Sequence, residues 1–91
     1  MALFDLLGRR WALRIVWELR ADAKTFRELQ SACGDISPTI LNTRLAELRD
    51  AGIVDAREGE GYQLTSEGER LLGELHGLND WAERWARRAG R

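Results

Sequence analysis

SPTILNTRLAELRDAG, running from Ser37 to Gly52, decides how the rest of the chain is read. Ser37 is an N-cap residue type, and Pro38 suits the first helical position, where a fixed φ helps and a missing N–H costs nothing. Gly52 closes the stretch, able to take the left-handed conformation that ends a helix. Leu41, Leu45 and Leu48 recur at spacings of four and three and predict one buried face. Thr39 and Thr43 point away from it, Asn42 lies to one side, and Arg44 sits on the shoulder, roughly 65° from the stripe by the helical period. Short hydrogen-bonding side chains and a fork-shaped cation suit base edges and phosphates. A helix with a merely solvated polar face carries the same pattern, so the neighbouring segments decide.

Upstream, Thr25-Phe26-Arg27-Glu28 fits a capping box, with Thr25 as N-cap and Glu28 reaching back to its N–H. Alternatively, Lys24–Phe26 is a short extended piece and the helix starts slightly later. Phe26, Leu29, Ala32 and Cys33 supply a buried stripe for about two turns, and Gly34-Asp35-Ile36 breaks it. A short helix, a glycine-containing turn and a longer helix form helix-turn-helix grammar. Downstream, Ile53–Arg57 and Tyr62–Leu64 read as strands around Glu58-Gly59-Glu60-Gly61. Placing Val54 and Ala56 on one face with Tyr62 and Leu64 favours an odd-numbered loop, Glu58–Glu60. A hairpin directly after such a helix is a wing. The fold class expected is mainly α with a small β-hairpin, a winged helix-turn-helix. Residues 1–91 form one domain, with the helix-turn-helix at about 25–52 and the wing at about 53–64.

The flanks are more apolar. Residues 2–7, ALFDLL, form a short apolar segment ended by Gly8. Across Trp11–Arg20, the residues Ala12, Leu13, Ile15, Val16, Trp17 and Leu19 cover most of a helix circumference. They predict a central helix packed on several sides, with Arg14 and Glu18 as an i,i+4 pair on its wet face. Thr65 or Ser66 caps a last helix, and Ser66 with Glu69 also fits a capping box. From there Leu71, Leu75, Leu78, Ala82, Trp85 and Ala89 repeat as a heptad seam flanked by Leu72 and Trp81. This predicts a dimerisation helix over about 66–88, meeting its twin through Leu71, Leu75, Leu78, Trp81, Ala82 and Trp85. Packing back on its own domain is the alternative.

Composition narrows the function classes. The chain has 91 residues, 44% of them hydrophobic, which makes one small domain with a limited core. One cysteine excludes an intrachain disulfide, and with one histidine it cannot supply a structural zinc site, so neither metal nor cofactor is expected. No apolar run approaches the roughly 18 residues of a membrane span, and no leader ends in a cleavage signature. A cytoplasmic chain without a membrane partner is expected. The net charge of −1 argues against indiscriminate polyanion binding, but charge is unevenly spread. Residues 1–20 hold Arg9, Arg10, Arg14 and Arg20 against Asp5 and Glu18, whereas residues 58–76 hold Arg70 against Glu58, Glu60, Glu67, Glu69 and Glu74. Cys33 falls on a buried stripe and reads as an inert thiol. His76 lies off the seam and reads as surface. No nucleophile triad, paired carboxylate or phosphate loop points to catalysis, so an enzyme is not expected.

LLGRRWALRIVWEL (Leu6–Leu19), FREL (Phe26–Leu29), ISPTILNTRLAELRDAGIV (Ile36–Val54), YQLTSEG (Tyr62–Gly68) and DWAERW (Asp80–Trp85) together span nearly the whole chain. In that order they resemble the HxlR-type winged helix-turn-helix transcriptional regulators, relatives of the MarR group. The resemblance implies a bacterial or archaeal homodimer, joined by its first and last helices, placing two recognition helices in successive major grooves of a pseudo-palindromic operator. This chain departs from the family pattern in three places. Met1–Leu7 lacks the cysteine often found ahead of the first helix, and the wing is cut to Glu58–Gly61 with two acids. Thr39 and Thr43 stand where a basic residue and a glutamine are frequent.

Thr39 and Thr43 are the expected base readers, and Asn42 can bond an adenine edge. Arg44 is expected on a phosphate, with an ion pair to Glu47 at i+3 as its alternative. Ser37 opens a helix N-terminus that is itself a phosphate site. Lys24, Thr25 and Arg27 are candidates to anchor the DNA backbone from the second helix, and Arg57 from the hairpin. Plain solvation is the alternative for each. The partners expected are double-stranded DNA and a second copy of the chain. A small-molecule effector held near Trp17, Trp81 and Trp85 is left open. The competing function is a dimerising protein-interaction adaptor, which the acidic hairpin favours.

Overall fold

The computed structural model describes residues 6, 8–59 and 61–90. Apart from Leu6, the apolar segment 2–7 lies outside them, as does Glu60 of the hairpin loop. The elements run α1 (Ala12–Glu18), α2 (Phe26–Ala32), α3 (Pro38–Asp50), β1 (Val54–Arg57), β2 (Gly61–Leu64) and α4 (Ser66–Arg88).

The first helix is shorter than the Trp11–Arg20 span expected. Trp11 has φ 79, in the left-handed region, so the helix begins only at Ala12, and Leu19 is already its C-cap. Its apolar character serves several neighbours at once. Ala12, Ile15, Val16 and Leu19 are buried, and Leu13 and Trp17 are half-buried. On the wet side Arg14 Nε pairs with Glu18 at 2.7 Å, while its Nη2 donates to the Ala32 carbonyl at 2.9 Å and ties α1 to the end of α2.

The capping box at Thr25 forms as its sequence predicts. The Glu28 N–H donates to Thr25 Oγ1 at 3.2 Å, and the Thr25 N–H donates to Glu28 Oε1 at 2.9 Å. Those bonds to Thr25, helped by the charge on Lys24, hold the Glu28 carboxyl below its ordinary value of 4.5. A carboxylate depressed on folding stabilises the protein above its unfolded value, and the contribution is lost as pH falls through the folded one. Glu28→Gln should therefore remove part of the acid sensitivity of α2 below about pH 4.5. An NMR titration giving Glu28 an ordinary carboxyl value would overturn this.

The strands pair antiparallel as Val54↔Leu64, Asp55↔Gln63, Ala56↔Tyr62 and Arg57↔Gly61, which leaves the expected three-residue loop. An extra rung joins them: the Lys24 N–H donates to the Tyr62 carbonyl at 2.9 Å and the Tyr62 N–H donates back to Lys24 at 2.7 Å. Lys24 is thus an extended residue at the edge of the sheet, and the capped helix follows directly. The capping-box reading of Thr25–Glu28 holds; of the alternative, a short extended piece over Lys24–Phe26 with a later helix start, only Lys24 is extended, because Phe26 already opens the helix. Gly61, at φ 86, passes so close that a Cβ there would strike the Lys24 carbonyl.

Thr65, not Ser66, caps α4. Its Oγ1 accepts from the Gly68 N–H at 3.0 Å and also reaches the Gly52 and Ile53 carbonyls. Starting one residue earlier lets the cap fasten α4 to the turn after α3. A Ser66 capping box would not make that tie. The core gathers Ile15, Leu29, Leu41, Leu45 and Leu48 with Val54 and Leu64 of the hairpin and Leu72 of α4. The heptad seam therefore divides along its length. Leu71 and Leu75 pack partly against this core, while Leu78, Trp81 and Trp85 are 58%, 54% and 47% exposed.

Candidate nucleic-acid interface

Between α2 and α3 the backbone takes two successive left-handed residues, Gly34 at φ 72 and Asp35 at φ 59. Glycine tolerates that conformation freely, and aspartate tolerates it better than most residues. Gln30 holds the turn by donating from Nε2 to the Ile36 carbonyl at 3.0 Å. Ile36 is buried beside Leu29 and Cys33 and fixes where α3 starts. Burial pushes the Cys33 thiol up, against the smaller opposing pull of Arg14, so it stays protonated and poorly nucleophilic.

Ser37 caps α3 with Oγ accepting from the Ile40 N–H at 3.4 Å, and Pro38 follows in the first turn. Leu41, Leu45 and Leu48 are fully or nearly fully buried, so the opposite side is forced outward. Ser37, Thr39, Asn42 and Thr43 are all exposed along it. Thr43 Oγ1 donates to the Thr39 carbonyl at 3.0 Å, which orients the hydroxyl and leaves its lone pairs facing out. Ile40 shares the exposed side. Its leucine-like chemistry gave no sign of this, because only its offset from the Leu41 stripe separates it from the core.

Arg44 is 18% exposed, and its guanidinium is engaged: Nη1 pairs with Glu47 at 2.7 Å, and Nε donates to the Arg10 carbonyl at 3.0 Å. The i+3 ion pair, the alternative for this residue, is present in the free protein. Glu47 also receives Arg9 Nε at 3.0 Å. That long-range meeting has no local spacing to announce it. Around the second helix, the Thr25 hydroxyl is occupied in the capping box and Lys24 is held at the sheet edge, whereas Arg27 is exposed at the start of α2. Arg57 ends β1, exposed, at the base of the wing loop. Lys24, Thr25 and the wing are therefore neighbours. Among the described residues no three metal-ligating side chains converge, and no helix is long and apolar enough to cross a membrane.

Known proteins share this arrangement. A transcriptional regulator of helix-turn-helix type from Bacillus subtilis, YvaP, is 31% identical over 87 residues, covering 89% of this chain and 81% of its own length. The quinone-bound structure of YodB from the same organism superimposes with a TM-score of 0.84 at 32% identity, covering 91% of this chain and 93% of that one. A regulator of the MarR family from Enterococcus faecalis superimposes with a TM-score of 0.84 at 29% identity, over 97% of this chain and 86% of the other. The family model described as HxlR-like helix-turn-helix matches residues 6–89. A buried leucine stripe behind an exposed polar strip, a wing bonded to the edge of the second helix, and a match that runs nearly end to end make this chain a member of the HxlR-like helix-turn-helix family, a transcriptional regulator and not an enzyme.

Proposed function

We propose that the chain binds double-stranded DNA with sequence preference, as a homodimer on a pseudo-palindromic operator in the cytoplasm. The observation that carries this is the strip Ser37–Thr39–Asn42–Thr43, solvent-facing on a helix whose other side is wholly buried. Thr39 and Thr43 read base edges, Asn42 bonds an adenine edge, and Ile40 meets a thymine methyl. Ser37 offers the helix N-terminus to a phosphate, and Lys24, Thr25, Arg27 and Arg57 follow the backbone on the wing side. Arg44 serves the backbone from the shoulder of α3.

The homodimer reading is supported by exposed Leu78, Trp81 and Trp85, an apolar surface of a kind that monomeric domains rarely display. Trp81 and Trp85 stack with ring centroids 6.2 Å apart and nearly parallel, a flat platform for a twin helix. Leu71 and Leu75 continue the same seam toward the core, and Ala82 sits on it between Leu78 and Trp85. An effector fits the groove of about 350 Å³ between α1 and α4, lined by Leu13, Trp17, Leu75, Leu78 and Ala82. YodB is known with a quinone bound, and a flat, largely apolar molecule of that kind suits this lining.

Selection of bound duplexes from a random pool at moderate salt tests the function. Enrichment of a two-fold symmetric site supports it, and absence of any binding even in low salt would favour the protein-interaction adaptor. Thr43→Ala should relax the selected sequence at one position of each half-site, a loss of about 1 kcal/mol in discrimination there, the worth of one hydrogen bond. A variant that selects the parent sequence with parent stringency removes Thr43 from base reading.

A further inference from the structure

Two arginines from different parts of the chain converge on one carboxylate at the edge of α3. Glu47 Oε2 takes Arg9 Nε at 3.0 Å and Oε1 takes Arg44 Nη1 at 2.7 Å. Arg44 Nε reaches the Arg10 carbonyl at 3.0 Å, and the Arg10 guanidinium lies over the Trp11 ring, 5.3 Å from its centroid. Arg9 and Arg44 thus share the Glu47 carboxylate, and Arg10, next in the chain to Arg9, is tied to Arg44 through its carbonyl, in a chain whose overall charge is −1. Arg9 and Arg10 are exposed.

The backbone of this corner is unusual. Trp11 is a bulky residue in the left-handed region, a conformation that persists only where surrounding structure enforces it and that recurs at functional positions. Here it turns the chain so that the Arg10 carbonyl meets Arg44 and Arg9 meets Glu47. Glu47 follows Thr43 by one helical turn, so the corner continues the side of α3 that carries the polar strip. A duplex lying on Thr39 and Thr43 would bring its backbone past these guanidinium groups. A carboxylate that takes one N–H from each of two guanidinium groups also offers the charge and the oxygen acceptors that those groups bind in a phosphate.

We propose that Arg9, Arg10 and Arg44 form a clamp for a DNA backbone phosphate, and that Glu47 fills the phosphate's place in the free protein. The clamp rests on the reading of α3 as the DNA-facing helix. It adds the residues just before α1 to that surface and makes Glu47 a built-in competitor of the operator. Binding transfers guanidinium bonds from Glu47 to phosphate oxygens and leaves Glu47 beside a like charge. Removing its charge should therefore tighten binding.

The test measures fluorescence anisotropy of a labelled mixed-sequence duplex of about 30 base pairs, long enough for two half-sites, across a salt series. It compares the parent with Arg9→Ala/Arg10→Ala, Arg9→Lys/Arg10→Lys and Glu47→Gln, with thermal melts of each. The alanine pair should lower the salt slope by about one per subunit, since the clamp neutralises one phosphate and each contributes about 0.9. The lysine pair should keep the parent slope. Glu47→Gln should bind roughly fivefold tighter per half-site, from relief of one like-charge contact near the surface. If the ion pairs only brace the fold, the alanine pair melts lower but keeps the parent slope, and Glu47→Gln binds no tighter. That outcome overturns the clamp while leaving the DNA-binding function intact. A parent that binds no duplex at low salt overturns both.

Discussion

Gly68→Ala should lower the melting temperature by roughly 10–20 °C, the equivalent of about 3 kcal/mol in a domain of this size. Gly68 is buried in the first turn of α4, and a methyl group there would drive into the Ile53 carbonyl oxygen and crowd the Leu64 side chain. The carbonyl cannot retreat cheaply, because it accepts the Thr65 N–H at 3.0 Å and the Thr65 hydroxyl at 3.2 Å. Moving it would loosen the cap of α4 and the entry to β1 together. Gly73 and Gly77 stand on the same helix with open space where a Cβ would be. Gly73→Ala should raise stability by about 0.5–1 kcal/mol, through helix propensity alone. Opposite signs for two glycine-to-alanine changes five residues apart would be a direct reading of backbone proximity. A melt of Gly68→Ala within 2 °C of the parent would contradict the close approach.

For the homodimer proposed above, Trp81→Asp/Trp85→Asp should give a monomer in sedimentation velocity and weaken binding to a selected operator by about 100-fold or more. The loss is that expected when two linked half-site contacts become independent. Both side chains project from the part of α4 beyond the last buried residue, Leu72, so the domain's own core loses nothing. The melting behaviour of the first three helices should change little in the separated protomer. A double variant that still sediments as a dimer would move the interface away from this seam. One that is monomeric yet binds as the parent does would show that a single copy suffices for recognition.

What the sequence disclosed and what it hid follow from the range of the interactions involved. Caps, turn residues and strand alternation are local, and so Thr25–Glu28, Ser37–Pro38, the three-residue hairpin loop and the Leu41–Leu45–Leu48 stripe were readable directly. The Arg14–Glu18 pair was readable for the same reason. Trp11 in the left-handed region was not, since nothing in an aromatic side chain advertises that conformation. The close approach of Gly68 to Ile53 and the meeting of Arg9 with Glu47 depend on how distant segments fold together. The choice of Thr65 over Ser66 as cap also turned on a tertiary contact, the reach of its hydroxyl to the Gly52 and Ile53 carbonyls. On α4 the periodicity identified an apolar seam but did not show which end the domain keeps for itself. Leu72, read as a flank, is the residue that enters the core.

The rung between Lys24 and Tyr62 has a mechanical consequence. With two backbone hydrogen bonds joining hairpin to helix-turn-helix, and Gly61 pressed against the same carbonyl, the wing cannot swing without breaking them. In the proposed homodimer, each protomer's DNA-facing part is then a single stiff piece, like one jaw of a caliper. On the operator proposed above, differences in half-site spacing would be absorbed by the long arms of α4 or by bending of the duplex.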